Sequence, residues 1–557
     1  MGHRSHHGYL GFAMVLGAIG VGLVACSIPG DSEPPRCNPE IAGCPEDNGV
    51  GGSGGGTFQT TAGSGGEGSG PGLTGGGGAG GAGGDGAGYV DGGVGDGGSV
   101  DPLAIPASCM GIDQVQRTFY MSADDSNSMG SPAHVRELIN IGFEPNPARI
   151  RTYEFLNYYR IAYPVPAYGS LNLFPDMEQK AENPHVAEFQ LGVRSFDALV
   201  PRRPMNLTFL IDTSGSMKGP GITRAKAAVK AISSMLVPGD IVSMVASDMA
   251  IEKLDGYVVT GPEDPMLLAH LDKLTTGGNS DLYTALGGAY KIAKDHANES
   301  LMNRVIMISD GGVNAGVTET MLIAQESADA DKEGIYLIGI GTGPAVSYND
   351  KLMNDVTDAG RGAYVYLDSV EEAQRIFTER FDETMDIAAR SVQVEVSLPW
   401  YFRVKGISTE EISEMPVTAQ HLAPNDAMVF NLEVTACDPS MYAQTDNVRI
   451  RVFWKTRVGY LDQVTEMNIP LDKLLKPGAP AMAKGRAIVA YAEALKGCGF
   501  KSNGSSLCDT EAERKKATKE KLLKARELAV LANQGGDLEL EEIMSLIDKH
   551  PLIMKGL

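Results

Sequence analysis

Between Asn206 and Ala388 short apolar runs alternate with longer stretches in which apolar residues recur every three or four positions. The runs Leu207 to Ile211, Ile241 to Ala246, Tyr257 to Val259, Val305 to Ile308, Ile335 to Gly339 and Ala363 to Leu367 read as strands. The stretches Thr223 to Leu236, Pro265 to Leu274, Leu282 to His296, Glu319 to Lys332, Asp350 to Asp358 and Val370 to Met385 read as helices. Unbroken Val/Ile/Leu runs belong to strands covered on both faces, so residues 204–388 are expected to form an α/β domain with a doubly wound, mostly parallel sheet.

The flanks follow other periods. Ser131-Pro132 reads as an N-cap with proline in the first turn of an amphipathic helix, Ala133 to Gly142. An aromatic-rich helix, Ile150 to Tyr159, and the alternating run Ala187 to Val193 follow, so 101–203 should be a small mixed α/β segment packed against the next domain. Beyond Arg390 the period becomes two, in Val392 to Val396 and Val448 to Trp454, with no helix expected between them. That predicts an antiparallel β-domain over 389–480. Helices Met482 to Leu495, Thr510 to Ala532 and Leu540 to Lys549 fill 481–557; Thr510 and Glu513 form a capping box, and Gly535-Gly536 provides a stop.

The start of the chain is built differently. Tyr9 to Val24 is almost wholly apolar or glycine and ends in Leu23-Val24-Ala25-Cys26, which marks 1–25 as a signal peptide. The four residues resemble a bacterial lipobox, making Cys26 the lipidated mature N-terminus; an ordinary cleaved signal and an uncleaved anchor are the alternatives. Ser27 after that cysteine resembles outer-membrane sorting, so the expectation is a lipid-anchored protein of the bacterial cell envelope, facing the periplasm or the cell surface. Residues 26–100 are dominated from about Gly49 to Gly98 by glycine, too poor in apolar side chains to offset ordering entropy, and read as a tether. Gly83-Gly84-Asp85-Gly86 lacks the fixed period of calcium-binding repeats.

An even set of cysteines remains once Cys26 is set aside, pointing to disulfides in an exported chain, although spacing leaves the connectivity open. The nearest pairs, Cys37 with Cys44 and Cys498 with Cys508, would leave Cys109 and Cys437 to join the segments flanking the α/β domain. No cysteine has partners at zinc spacing. A net charge of -23 argues against nucleic acid, whose phosphates demand a basic face.

Ligands of a doubly wound sheet bind beyond the carboxyl ends of its strands. There stand Asp212-Thr213-Ser214-Gly215-Ser216-Met217 after the first strand, Gly277-Gly278-Asn279-Ser280-Asp281 before the helix Leu282 to His296, and Ser309-Asp310-Gly311-Gly312 after the fourth. Two carboxylates and three hydroxyls converging on one rim suit a hard divalent cation, with Mg²⁺ first and Mn²⁺ or Ca²⁺ as alternatives. This set resembles the metal-dependent adhesion site of the von Willebrand factor type A family. Asp212, Ser214, Ser216 and Asp310 match its pattern, while Ser280 stands where the family usually has Thr. The resemblance implies a binding module whose metal accepts an Asp or Glu of a protein partner. Arg117 to Tyr120, Arg149-Ile150-Arg151, Leu156 to Tyr159, Asn303 to Ile306, Gly316-Val317-Thr318 and Tyr348-Asn349-Asp350 before Lys351-Leu352-Met353 resemble the YfbK-type bacterial members.

Other motifs carry less. Asp124-Asp125-Ser126-Asn127-Ser128-Met129 repeats the Asp-x-Ser-x-Ser spelling without the later loops, and reads as a loop with a helix-capping serine. Asp329 to Gly334 opens like an EF-hand but has Ile340 where the bidentate Glu belongs. No nucleophile elbow, His-Glu-x-x-His or phosphate loop occurs, so no enzyme is expected. An envelope scaffold with an incidental metal site is the second reading.

Overall fold

A computed structural model of the chain describes residues 106–123, 127–248, 251–277, 281–312, 334–498 and 507–554. The leader, Cys26, Cys37, Cys44, the glycine-rich stretch, Asp124 to Ser126, Ser280, Gly316 to Thr318, the expected helix Glu319 to Lys332 and the opening of the EF-hand-like motif, Asp329 to Glu333, lie outside these residues.

The α/β domain holds a six-stranded sheet of β4 (Met205–Ile211), β5 (Ile241–Ala246), β6 (Leu254–Val258), β7 (Met302–Ser309), β8 (Tyr336–Gly341) and β9 (Arg361–Tyr366), in the order β6-β5-β4-β7-β8-β9. All pairs are parallel except β5 with β6. Every residue of the neighbours β4 and β7 is buried, as strands covered on both faces require, the polar Asn206, Thr208, Asn303 and Arg304 included. The helices α3 (Pro220–Ser234), α4 (Pro265–Asp272), α5 (Leu282–Asp295) and α6 (Asp350–Gly360) follow the expected positions. The stretch expected as one helix from Val370 to Met385 is instead broken: α7 (Val370–Gln374), a π-turn at Arg375–Glu379, then α8 (Phe381–Met385). Arg375 and Arg380 explain the break, because both reach back to Tyr158, Arg375 to its hydroxyl and Arg380 to its carbonyl.

The flanks are woven together. From the segment ahead of the domain come β1 (Arg117–Ser122), β2 (Asn172–Lys180) and β3 (Asn183–Arg194); from the segment after it come β10 (Ala389–Leu398), β11 (Phe402–Ile407), β12 (Glu411–Ser413), β13 (Gln420–Leu422), β14 (Ala427–Ala436), β15 (Asn447–Thr456) and β16 (Asp462–Pro470). One antiparallel sheet runs β12-β1-β10-β15-β16 with β13 beside β10, and the other β11-β14-β3-β2. Met121 pairs with Val394 and Leu191 with Phe430, so each sheet draws strands from both sides of the α/β domain. Their inward side chains, among them Phe119, Phe189, Leu191, Val394, Phe430 and Trp454, form one shared core. A short 3-10 turn, Pro439–Ala443, interrupts the stretch expected to lack helix.

Disulfides join Cys109 to Cys437 and Cys498 to Cys508. The first ties the start of the described chain to the end of β14, and Ser108 Oγ adds a hydrogen bond to Asp438 at 2.8 Å.

Helices α1 (Gly130–Asn140) and α2 (Thr152–Tyr158) lie against the α/β domain, with α9 (Pro480–Leu495), α10 (Glu511–Ala532) and α11 (Leu538–Lys549) packed beside them. Phe155 meets Tyr491 edge-on at 5.7 Å. The Thr510/Glu513 capping box is formed. Ser131, expected as an N-cap, lies inside the first turn of α1, where its hydroxyl donates to Arg149 O at 3.0 Å and its N–H to Glu154 Oε2. Among the described residues no helix is long and apolar enough to cross a membrane.

Candidate functional site

From β4 the chain moves outward through β5 to β6, then crosses back to β7 on the other side of β4. The loops leaving the carboxyl ends of β4 and β7 therefore part in opposite directions and leave a crevice. Asp212 follows the last residue of β4 and Asp310 the last of β7, so topology sets the two carboxylates at its two lips.

Asp212 is fully buried and held at both oxygens. Its Oδ1 accepts from the Ser214 N–H at 2.8 Å and from Ser247 Oγ at 3.3 Å, and its Oδ2 accepts from Ser309 Oγ at 2.7 Å. A carboxylate without water needs such donors, and three from different loops also fix its plane. Ser247 is itself oriented by the Thr213 N–H, which donates to its Oγ at 2.8 Å.

After Asp212 the chain enters a 3-10 turn, Gly215–Met217, that buries Met217 and leaves Ser216 exposed. The Oγ atoms of Ser214 and Ser216 stand 2.9 Å apart. Across the crevice Asp310 is 5% exposed, and its Oδ1 accepts from the Gly312 N–H at 2.9 Å. A Cβ placed on Gly312 would meet Asp310 Oδ1 at 2.9 Å and Ser216 Oγ at 3.4 Å, so these oxygens border one gap that glycine leaves open. The stretch holding Ser280 is pinned on either side of that residue: the Gly277 N–H donates to Thr213 O at 3.0 Å and the Asp281 N–H to Ser247 O at 2.9 Å.

The structure thus brings Asp212, Ser214, Ser216 and Asp310 to one rim, with Ser216 opening toward solvent. An all-oxygen set of two carboxylates and neutral hydroxyls matches the donor preference of a hard divalent cation. Among the described residues no cluster of three or more His, Cys, Asp or Glu offers a competing site.

Behind Asp310 runs the loop Thr342 to Asn349. The Asn349 N–H donates to Asp310 O at 3.1 Å, and Gly343 packs so closely on Asp310 that a Cβ there would overlap the Asp310 Cβ. The next residue, Asp350, is buried in a bidentate pair with Arg151 at 2.7 and 2.8 Å, and accepts from Tyr364 Oη at 2.8 Å. Burial pushes the Asp350 carboxyl up, but the Arg151 guanidinium outweighs it and holds it at about 2. Burial dominates at the neighbouring Glu154, raising its carboxyl against the pull of the same arginine.

Ser247 and Ser309, which hold Asp212, belong to no ligand motif of the sequence. The available signal was a polar residue closing an apolar, doubly covered strand: Ser309 ends β7 and Ser247 directly follows β5.

Residues 207–313 match the family described as von Willebrand factor type A domain. YfbK of Escherichia coli (strain K12) is 24% identical over 425 residues, covering 70% of this chain and 72% of its own. Inter-alpha-trypsin inhibitor heavy chain H1 of Sus scrofa is 28% identical over 179 residues, which are 31% of this chain and 20% of that protein. A solved von Willebrand factor type A protein from Catenulispora acidiphila superposes with a TM-score of 0.39 at 15% identity, covering 68% of this chain and 89% of that one.

Proposed function

We propose, from the premise that this chain carries a von Willebrand factor type A domain and is a relative of YfbK, that it captures a protein partner through a divalent cation held by Asp212, Ser214, Ser216, Ser280 and Asp310. Domains of this family are in the main protein-interaction modules, often metal-dependent. The observation that carries the reading is the convergence of Ser214, Ser216 and Asp310 beside a buried Asp212 whose oxygens are already committed to protein donors.

The donor set suits Mg²⁺. Adjacent ligands of an octahedral ion with bonds of about 2.0–2.1 Å stand about 2.9 Å apart, which the Ser214 and Ser216 hydroxyls already do at 2.9 Å. A seven-coordinate Ca²⁺ admits equatorial neighbours at about the same spacing, so the titration decides between the ions. Neutral hydroxyl ligands would leave the cation electrophilic, and its chemistry would be to accept a carboxylate from outside. Asp212 orients the turn that carries both serines through its bond from the Ser214 N–H. Asp310 supplies the charge on the opposite lip, and the exposure of Ser216 leaves the approach open. The partner is therefore a protein presenting Asp or Glu. Lipidation at Cys26 and an envelope location belong to the same proposal and rest on the leader sequence.

Calorimetric titration of Mg²⁺, Mn²⁺ and Ca²⁺ into the full chain, beside an Asp212→Ala/Asp310→Ala variant, tests the site. Saturable binding lost in the variant is expected. No binding by the wild-type chain, or equal binding by both, overturns the reading and leaves an envelope scaffold as the better account.

A further inference from the structure

We propose that His134 and Arg149, which precede the α/β domain in sequence, are positioning residues for its metal site: they fix the loop that backs Asp310. The inference rests on the site assigned above, but part of its test does not need the cation.

The Thr342 to Asn349 loop touches the site directly, since Asn349 donates to Asp310 O at 3.1 Å and Gly343 lies against the Asp310 side chain. Buried carbonyls of such a loop need donors. Gly343 O receives Tyr366 Oη at 2.6 Å and Arg224 Nη1 at 3.1 Å, both from the α/β domain. Two further carbonyls of the loop take their donors from the flanking segment. His134 Nε2 on α1 lies 2.9 Å from Ala345 O, and Arg149 Nη1 lies 3.2 Å from Tyr348 O. A carbonyl can only accept, so His134 must carry its proton on Nε2. The ring is 3% exposed and held edge-on by Tyr348 at 5.7 Å and Tyr366 at 5.2 Å. Burial draws its pKa down, against the doubly protonated ring.

Among the described residues neither side chain bonds to a candidate ligand. Their effect passes through the loop: His134 and Arg149 hold two of its carbonyls, the held loop presents the Asn349 N–H, and that N–H sets the backbone of Asp310. A metal site of this kind depends on such outer contacts, whose loss weakens affinity about 10- to 100-fold. The α/β domain is accordingly incomplete as a metal binder without the α1 segment.

The test uses the full chain. His134→Leu keeps much of the volume and removes the donor; His134→Gln restores an N–H close to the Nε2 position. By calorimetry Mn²⁺ should bind about tenfold more weakly to His134→Leu and within about twofold of wild type to His134→Gln. In cation-free protein, the Asn349 amide should exchange hydrogen faster in His134→Leu than in wild type, with the Gln variant restoring the slower rate. Unchanged affinity and exchange in a folded His134→Leu would overturn the proposal. If that variant does not fold, Arg149→Gln, at a half-buried position, carries the test, with about threefold weaker binding and faster exchange expected. Should the wild-type chain bind no cation, the metal reading fails on its own, while amide exchange still decides whether these residues hold the loop.

Discussion

Replacing Ser309 by alanine tests how far the candidate site depends on its supporting hydroxyls. Ser309 Oγ donates to Asp212 Oδ2 at 2.7 Å and accepts the Gly311 N–H at 3.0 Å, all within a fully buried position. A hydrogen bond to a charged group is worth about 1.5–3 kcal/mol net and a neutral one about 1 kcal/mol, and the two are not additive because one hydroxyl serves both. Ser309→Ala should therefore cost about 2–3 kcal/mol of stability in urea titrations followed by far-ultraviolet circular dichroism. The freed Oδ2 would let the Asp212 carboxylate turn, disturbing its bond from the Ser214 N–H at 2.8 Å and so the turn that carries Ser214 and Ser216, the proposed ligands. Mn²⁺ affinity should drop about 10- to 100-fold, equivalent to about 1.4–2.7 kcal/mol. An affinity within about twofold of wild type in a destabilised variant would refute the argument, because Ser309 would then serve the strand and not the site.

Two further outcomes follow from contacts around Asp310. Gly343→Ala would drive a Cβ into the Asp310 Cβ, and should weaken Mn²⁺ binding about tenfold or more while the circular dichroism spectrum is retained. Unchanged binding would mean that Asp310 does not need its present place. Asp350, held at about 2 against an ordinary 3.8, contributes stability that is complete above about pH 4 and lost as the pH falls through about 2. The contribution is about 2 kcal/mol, and Asp350→Asn should flatten that acid limb in urea midpoints measured between about pH 2 and 5. A slope like that of wild type would show that the Arg151 pair does not set the titration.

The sheet of the α/β domain was legible because its central strands are buried on both faces and show it as mostly apolar runs; Val305 to Ile308 in β7 is the clearest case. The rim residues were legible for a related reason, since Asp212 and Asp310 each stand directly after such a run. Less visible was β2, whose Pro175 argues against a strand. The structure resolves the conflict by placing β2 at a sheet edge, where a missing N–H is tolerated. The sandwich built from both flanks was not foreseeable from local pattern, because Met121 against Val394 is a pairing across the whole inserted domain. The motifs Arg149-Ile150-Arg151 and Tyr348-Asn349-Asp350 lie far apart in the chain; only the fold shows Arg149 bonded to Tyr348 O and Arg151 paired with Asp350.

The Cys109–Cys437 bridge also decides where mechanical load enters. A pull on the chain ahead of Ala107 would otherwise reach β1 at Arg117 and peel its pairing with Leu398 and the residues behind it one by one. With the bridge closed, tension leaves the backbone at Cys109 and passes to Cys437 at the end of β14, a strand bonded along both edges, to β3 and to β11. The force then falls on the long ladder from Ala427 to Thr435 with β3 and on the one with β11, in place of the shorter ladders that hold β1 to β10 and β12, so a pull on the leading end does not unravel the chain from β1.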